Sequence, residues 1–206
     1  KAITGFGIIG ETQSEFVERS YTQVLGALVT RRTSADDYSS YAGLQPGTSY
    51  DRLINHTSNN PNGPNSATPY VDTMDRVGLT TANAKVLGFL PQGSSLDATI
   101  RFSSAFSFDF SHGDTIAPGQ IDFVGAAAHE IGHVLGFISG VDDIDDLAGL
   151  YPGGDFSSNL VDLFRYSTLS LDAGPDYSDY TADARSKYFS VDGGISSVAL
   201  FSTGLV

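Results

Sequence analysis

The stretch "AAAHEIGHVLGFISGVDD", residues 126–143, decides how the chain is read. His129, Glu130 and His133 fit the spacing H-E-x-x-H, and the residues around them repeat at helical intervals. Ile121, Val124, Ala128, Ile131, Leu135 and Ile138 recur at three- and four-residue steps, so the pattern predicts a helix over 121–137 with its apolar stripe buried. At about 100° per residue, His129 and His133 fall one turn apart on a face away from that stripe. Gly125, Ala126, Gly132 and Gly136 lie near the histidine face. Glycine inside a helix costs roughly 0.5 to 1 kcal/mol against alanine, so these residues imply close approach by a neighbouring backbone, by a bound peptide strand or by a tightly packed helix.

Each element of the motif has a chemical reason. Two histidines at i and i+4 aim their nitrogens at one metal about 2.0 to 2.1 Å away, and a glutamate beside the first ligand takes a proton from metal-bound water. Zinc in such a site lowers the pKa of that water to about 7 and polarises a carbonyl, so hydrolysis needs no covalent nucleophile. A bare H-E-x-x-H arises by chance in on the order of one chain in a few hundred of this length. Its place in the middle of a helix, on a face without core residues, raises its specificity further.

Two imidazoles do not complete a catalytic zinc site, which takes three protein ligands. In the extended spacing H-E-x-x-H-x-x-G-x-x-H the glycine matches Gly136, but position 139 holds Ser139. No Glu follows Glu130 and no His follows His133. Three candidates remain: Asp142 or Asp143 just past Gly140, His112 from the preceding loop, or a ligand beyond Val206.

Outward from the motif, "TQSEFVERSYTQVLGALVTRR" has Thr12 and Glu15 spaced as a capping box and an apolar stripe from Phe16 to Val29, which predicts a core-packing helix. "SADDYSSYAGL" predicts a second, short helix ended by "QPG". Residues 55–69, "NHTSNNPNGPNSATP", form a long loop that contains His56 and the formal glycosylation sequon Asn55-His56-Thr57. "LDATIRFSS" alternates strictly and predicts a half-buried strand, which "FSFDF" continues. After residue 139 the texture turns to Asp, Gly, Ser and Tyr, with the apolar patch "NLVDLFRYS" and short strands in "KYFSV" and "SVALFS". The expected division is an upper lobe over 1–140, carrying the helix, and the start of a lower lobe over 141–206.

Composition narrows the classes. The chain has 206 residues, 40% of them hydrophobic, with 23 glycines, and is long enough for a substantial core. Its 24 acidic against 11 basic residues give a formal net charge of −13, which argues against nucleic acid or an anionic membrane as partner. There is no cysteine, so thiol chemistry and zinc-thiolate sites are excluded. No apolar run has the length of a membrane span. The opening "KAITGFGIIG" lacks an initiator Met and a signal-peptide pattern, which suggests a piece of something longer.

"IDFVGAAAHEIGHVLGFISGVD", "VDLFRYS", "YFSVDGG" and "FSTG", together with the earlier "SADD", "SNNPNG", "ATPY" and "DATIRFSS", resemble a family of secreted bacterial zinc metalloproteases. Members of that family often bear a PEP-CTERM sorting tail and are related in plan to leishmanolysin. The likeness extends over nearly all of the chain. It implies an α+β, metzincin-like fold: a twisted mixed sheet, mostly parallel with an antiparallel edge strand, backed by helices and followed by an irregular C-terminal lobe. It also implies a zinc endopeptidase acting on extracellular protein or peptide, secreted or on the cell surface, with His129 and His133 as ligands and Glu130 as general base. Leishmanolysin-like enzymes insert a long segment before the third His and follow it with a methionine turn. The lone methionine here is Met74, upstream of the helix, and the chain ends at "FSTGLV", so the resemblance implies an internal fragment whose third ligand lies past Val206. "LDATIRFSS" becomes the candidate edge strand for an extended peptide, and Tyr166 and Tyr188 are available as oxyanion stabilisers. The rival expectation is a secreted acidic binding or surface module with a vestigial H-E-x-x-H, stabilised by Ca2+ at Asp142, Asp143, Asp145 and Asp146, although the EF-hand spacing is absent.

Overall fold

The structure, a computed structural model, describes residues 7–93, 95–111, 113, 115–141, 144 and 157–201. The fold is mixed α+β. The chain runs β1 (Gly10–Ser14), β2 (Phe16–Ser20), α1 (Tyr21–Arg31), α2 (Ala35–Ala42), β3 (Tyr50–Ile54), β4 (Tyr70–Met74), β5 (Arg76–Thr80) and α3 (Thr81–Val86). It continues through β6 (Ala98–Phe102), β7 (Phe108–Asp109), β8 (Ile121–Asp122) and α4 (Phe123–Val134). Then come β9 (Ser158–Asn159), a 3-10 helix (Leu160–Phe164), β10 (Arg165–Tyr166), α5 (Thr168–Ala173), β11 (Ser178–Tyr180), β12 (Tyr188–Phe189) and β13 (Ala199–Leu200).

A single twisted sheet is not formed among the described residues. The strands fall into five sheets of two or three, ordered β1-β6, β7-β8, β2-β5-β9, β11-β3-β4 and β10-β12-β13. Parallel pairing joins β5 with β9, β7 with β8 and β11 with β3. Strands of two to five residues, separated by loops rich in Asn, Gly and Asp, run out of ladder before further strands can join.

The chain divides into two compact units, Lys1–Val17 with Thr80–Ile138, and Glu18–Leu79 with Ser139–Val206. In the first unit β1 pairs antiparallel with β6, with Gly10 opposite Phe102, Thr12 opposite Ile100 and Ser14 opposite Ala98. The alternation in "LDATIRFSS" is thus realised as β6. The ring of Phe123, at the start of α4, lies 4.9 Å from that of Phe102 and 5.5 Å from that of Phe108, which seats the helix on β6 and β7.

The helix expected from Thr12 begins at Tyr21 instead. Residues 10–14 are extended, with Gly10, Thr12 and Ser14 on the inner face and Glu11 and Gln13 exposed. The spacing of Thr12 and Glu15 only imitates a cap. The working capping box is Ser20 with Gln23: Ser20 Oγ accepts the Gln23 N–H at 3.2 Å, and Gln23 Oε1 accepts the Ser20 N–H at 3.1 Å. A cap is worth about 1 kcal/mol, and five residues paired with β6 outweigh it. The short helix expected from "SADDYSSYAGL" is α2, capped by Ser34 and ended at Gly43.

The second unit holds a packed core in which Ile54, Val141, Ile144, Tyr180 and Ala182 form one cluster with Tyr70 against it. Tyr21 and Val24 of α1 are fully buried. Arg52 is also fully buried; its guanidinium donates to Asp72 Oδ2 at 3.0 Å and to Ser158 Oγ at 2.9 Å and lies 4.7 Å from the centre of the Tyr180 ring. Residues 55–69 form the expected loop, tied from within by Asn60, which donates to the carbonyls of Ser66 and Thr68. Asn55 is fully buried and donates to the carbonyls of Ala67 and Ala182, so the sequon presents no accessible amide. No helix among the described residues is long and apolar enough to cross a membrane.

Candidate metal centre on helix α4

Helix α4 is fixed at both ends by side chains of its own unit. At its start Asp122 Oδ1 accepts the Val124 N–H at 3.0 Å. At its end the chain turns through Gly136 at φ +96°, and the Gly136 and Phe137 N–H groups return to the carbonyls of His133 and Gly132 at 3.1 and 3.0 Å. This is the Schellman arrangement, with glycine in the left-handed position where a Cβ is unfavourable. The carbonyls beyond its reach have donors too: Thr80 Oγ1 donates to Val134 O at 3.2 Å and Asn83 Nδ2 to Leu135 O at 2.9 Å. A Cβ at Gly136 would lie 2.1 Å from Asn83 Oδ1, so the turn and its anchor fit only with glycine.

The same turn orients a histidine. The Phe137 carbonyl lies 2.9 Å from His133 Nδ1. A carbonyl only accepts, so Nδ1 carries the proton and Nε2 is an acceptor whose lone pair is turned to His129. That Nε2 lies 3.0 Å from Nε2 of His129, and the two rings meet edge to face with centroids 4.5 Å apart. Two nitrogens on one tetrahedral zinc, each about 2.0 to 2.1 Å from it, stand about 3.3 to 3.4 Å apart. The imidazole pair therefore fits one such ion after a displacement of a few tenths of an ångström.

Glu130 is turned to another side of the helix and is 6% exposed. Its Oε2 accepts the Thr12 hydroxyl at 2.6 Å, and Thr12 Oγ1 also lies 3.0 Å from the Glu130 main-chain carbonyl. A Cβ at Gly10 would come within 2.7 Å of Glu130 Oε1. β1 thus supplies both the space for the carboxylate and its hydrogen-bond donor.

The apolar stripe expected to bury α4 does not do so. Ile131 is 48% and Leu135 57% exposed, and Glu130 is the buried residue of the helix. Contact with β1 selects the face: Gly10 and Thr12 accept a carboxylate side chain, and that rotates the Ile131 and Leu135 side chains toward solvent. Gly125 in α4 and Gly136 in the turn after it serve local fits, to Asp122 and to Asn83.

Among the described residues no group of three or more His, Cys, Asp or Glu stands close enough to hold a metal. His112, Asp142 and Asp143, named as third ligands, and the calcium candidates Asp145 and Asp146 lie outside the described residues. Ser139, at the position where the extended spacing places a histidine, donates instead to Asp162 Oδ1 at 2.6 Å. Asp162 is fully buried; burial pushes its carboxyl up, against the hydrogen bonds from Ser139 and from the Gly140 and Asn159 N–H groups. Tyr166 and Tyr188 donate to the carbonyls of Gly43 and Gly194.

The sequence reading missed Thr12, Gly10, Thr80 and Asn83. The signals were present: alternation of small residues with Glu11 and Gln13 in "GETQS", and Thr80 at the cap of a short helix with Asn83 three residues on. Compared with protein-family models, with curated proteins and with solved structures, the chain matches none.

Proposed function

We propose that the chain carries the catalytic helix of a metzincin-like, zinc-dependent metalloendopeptidase that acts on extracellular protein or peptide and is secreted by a bacterium or held at its surface. The observation that carries this reading is the convergence of His129 and His133 through their Nε2 atoms, with Glu130 on the same helix turn. Zinc bound there would supply an acidified water and polarise the scissile carbonyl. His129 and His133 hold the ion, and the Phe137 carbonyl holds His133 in the ligating tautomer. Glu130 takes the proton of the attacking water and returns it to the leaving amine. The third ligand belongs to Asp142, Asp143 or a residue beyond Val206. A chain with 24 acidic and 11 basic residues suits a protein substrate better than a polyanion.

The test is metal content by emission spectroscopy together with cleavage of a mixed-sequence quenched-fluorescent peptide library. The expected result is one zinc per chain, lost with turnover in His129→Ala, and retained in Glu130→Gln while turnover falls about 10²- to 10⁴-fold. Wild-type turnover in Glu130→Gln, or zinc retained in full by His129→Ala, overturns the reading.

A further inference from the structure

Glu130 is a buried carboxylate whose one hydrogen-bond donor among the described residues is the hydroxyl of Thr12, 2.6 Å from Oε2. No Lys or Arg is paired with it there. Stability is a poor account of this arrangement, because an ionised carboxylate taken out of water with a single hydroxyl partner costs more than an apolar pair of the same shape. The walls around the carboxylate are also specific. Thr12 and Gly10 share the inner face of β1, and any Cβ at position 10 would meet Glu130 Oε1 at 2.7 Å and Cγ at 3.0 Å. The ladder with β6 sets the height of this wall along α4, since Thr12 is held opposite Ile100. The Glu130 main-chain carbonyl, 3.0 Å from Thr12 Oγ1, is the longer alternative for the single hydroxyl proton, which the carboxylate at 2.6 Å takes.

We infer that Thr12 is the positioning residue of the general base: its hydroxyl fixes the Glu130 side chain in one orientation relative to the imidazole pair, with Gly10 leaving the room for it. The inference rests on the proposed protease reading. A hydroxyl donating to a carboxylate makes a short, directional, charge-assisted bond, and a general base works only within hydrogen-bond reach of its proton. Without the hydroxyl the carboxylate is free to change rotamer, and the fraction of chains with the base in place falls. The bonds that hold His133 and His129 do not involve Thr12, so the imidazole pair stays in place.

The experiment compares Thr12→Val, which keeps the shape of the side chain, with Thr12→Ser, which keeps the donor, in the zinc-loaded 206-residue chain. Zinc content and the thermal transition are measured beside kcat and KM on one peptide from the library. The expected result for Thr12→Val is a kcat lower by about 10- to 100-fold with KM and zinc content as in the wild type. Thr12→Ser is expected to recover most of it. A folded, zinc-bound Thr12→Val chain with wild-type kcat overturns the inference and leaves the protease reading intact, as does a loss that Thr12→Ser fails to recover. Should Thr12→Val not fold, Thr12→Ser and Gly10→Ala decide: the first is expected to keep kcat and the second, which displaces the carboxylate, to lose it, and the reverse overturns the inference. Zinc retained in full by His129→Ala, or wild-type turnover in Glu130→Gln, overturns the protease reading, and this inference with it.

Discussion

The two units differ in what fills them. Of the hydrophobic residues buried in the described structure, all but Ala84 belong to the unit formed by Glu18–Leu79 and Ser139–Val206. The unit that carries α4 buries mainly polar groups: Thr80, Thr81, Lys85 and Glu130. Each has a defined partner there, as where Lys85 Nζ reaches Ser95 O at 2.7 Å and Asp97 Oδ1 at 2.9 Å. Apolar burial is non-directional and supplies stability, whereas hydrogen bonds supply direction at modest net energy. One unit is thus built to stay folded and the other to hold a few side chains at set angles, and substitutions in the two are expected to differ in size.

The largest effects belong to buried charge and core in the second unit. Lys187 is 1% exposed and its ammonium pairs with Asp183. Burial alone would raise the Asp183 carboxyl, but Lys187 and Arg185 outweigh it and hold the group well below the ordinary carboxylate range. Asp183→Asn leaves the ammonium buried without its counter-charge and is expected to cost about 3 to 5 kcal/mol in urea unfolding at neutral pH. A depressed carboxyl stabilises above its unfolded pKa and loses that contribution as pH falls toward its folded value. The gap between wild type and Asp183→Asn therefore narrows below about pH 4, and a gap that widens there contradicts the assignment. Ile54→Ala, at a fully buried position, is expected to cost about 2 to 5 kcal/mol, which differential scanning calorimetry reads directly.

In the site-bearing unit the largest single effect is expected at the turn after α4. Gly136→Ala forces a left-handed φ on a residue with a Cβ and drives that carbon into Asn83. The backbone term alone is about 1 to 2 kcal/mol. On the proposed zinc reading the more telling loss is in zinc affinity, expected to fall about 10-fold as the Phe137 carbonyl leaves His133 Nδ1. Unchanged zinc affinity in a folded Gly136→Ala chain would remove the carbonyl from the account of the site.

How much of this was legible in the sequence follows the same division. The helix at H-E-x-x-H, the strand in "LDATIRFSS", the loop at 55–69 and α2 are set by local periodicity and turn chemistry, and all four form. The nine residues from Thr12 to Ser20 were misread because Thr12…Glu15 and Ser20…Gln23 are both plausible caps, and only pairing of β1 with β6 decides between them. The burial of α4 was misread for a related reason. Periodicity ranks Ile131 and Leu135 as inward, whereas the neighbour on that helix is a strand whose inner face is Gly, Thr and Ser. Thr12 is 118 residues from Glu130, and no local pattern encodes that contact.

The exposed stripe gives the next smaller prediction. Ile131→Ser removes an apolar side chain that is 48% exposed, and its expected cost is within about 0.5 kcal/mol, against several for the same kind of change at Ile54. A loss of 2 kcal/mol or more would mean that the helix face is covered in solution, and the contrast between the units would have to be redrawn.

The smallest change in stability is expected at the proposed general base. Glu130→Gln gives up the charge-assisted bond from Thr12, worth about 1.5 to 3 kcal/mol, and at the same time removes an ionised group from a site with no paired cation among the described residues, a relief of similar size. The amide oxygen still accepts from Thr12, so the net is expected to lie within about 1 kcal/mol of zero. In the second unit, by contrast, the Asp183 carboxylate faces Lys187 and Arg185, and neutralising it is costly. A melting curve for Glu130→Gln that overlays the wild type, beside the large loss in Asp183→Asn, identifies the first carboxylate as one the fold tolerates and the second as one the fold requires. A steep loss in Glu130→Gln would instead make Glu130 part of the packing of β1 on α4, and the argument from cost for its catalytic role would fall.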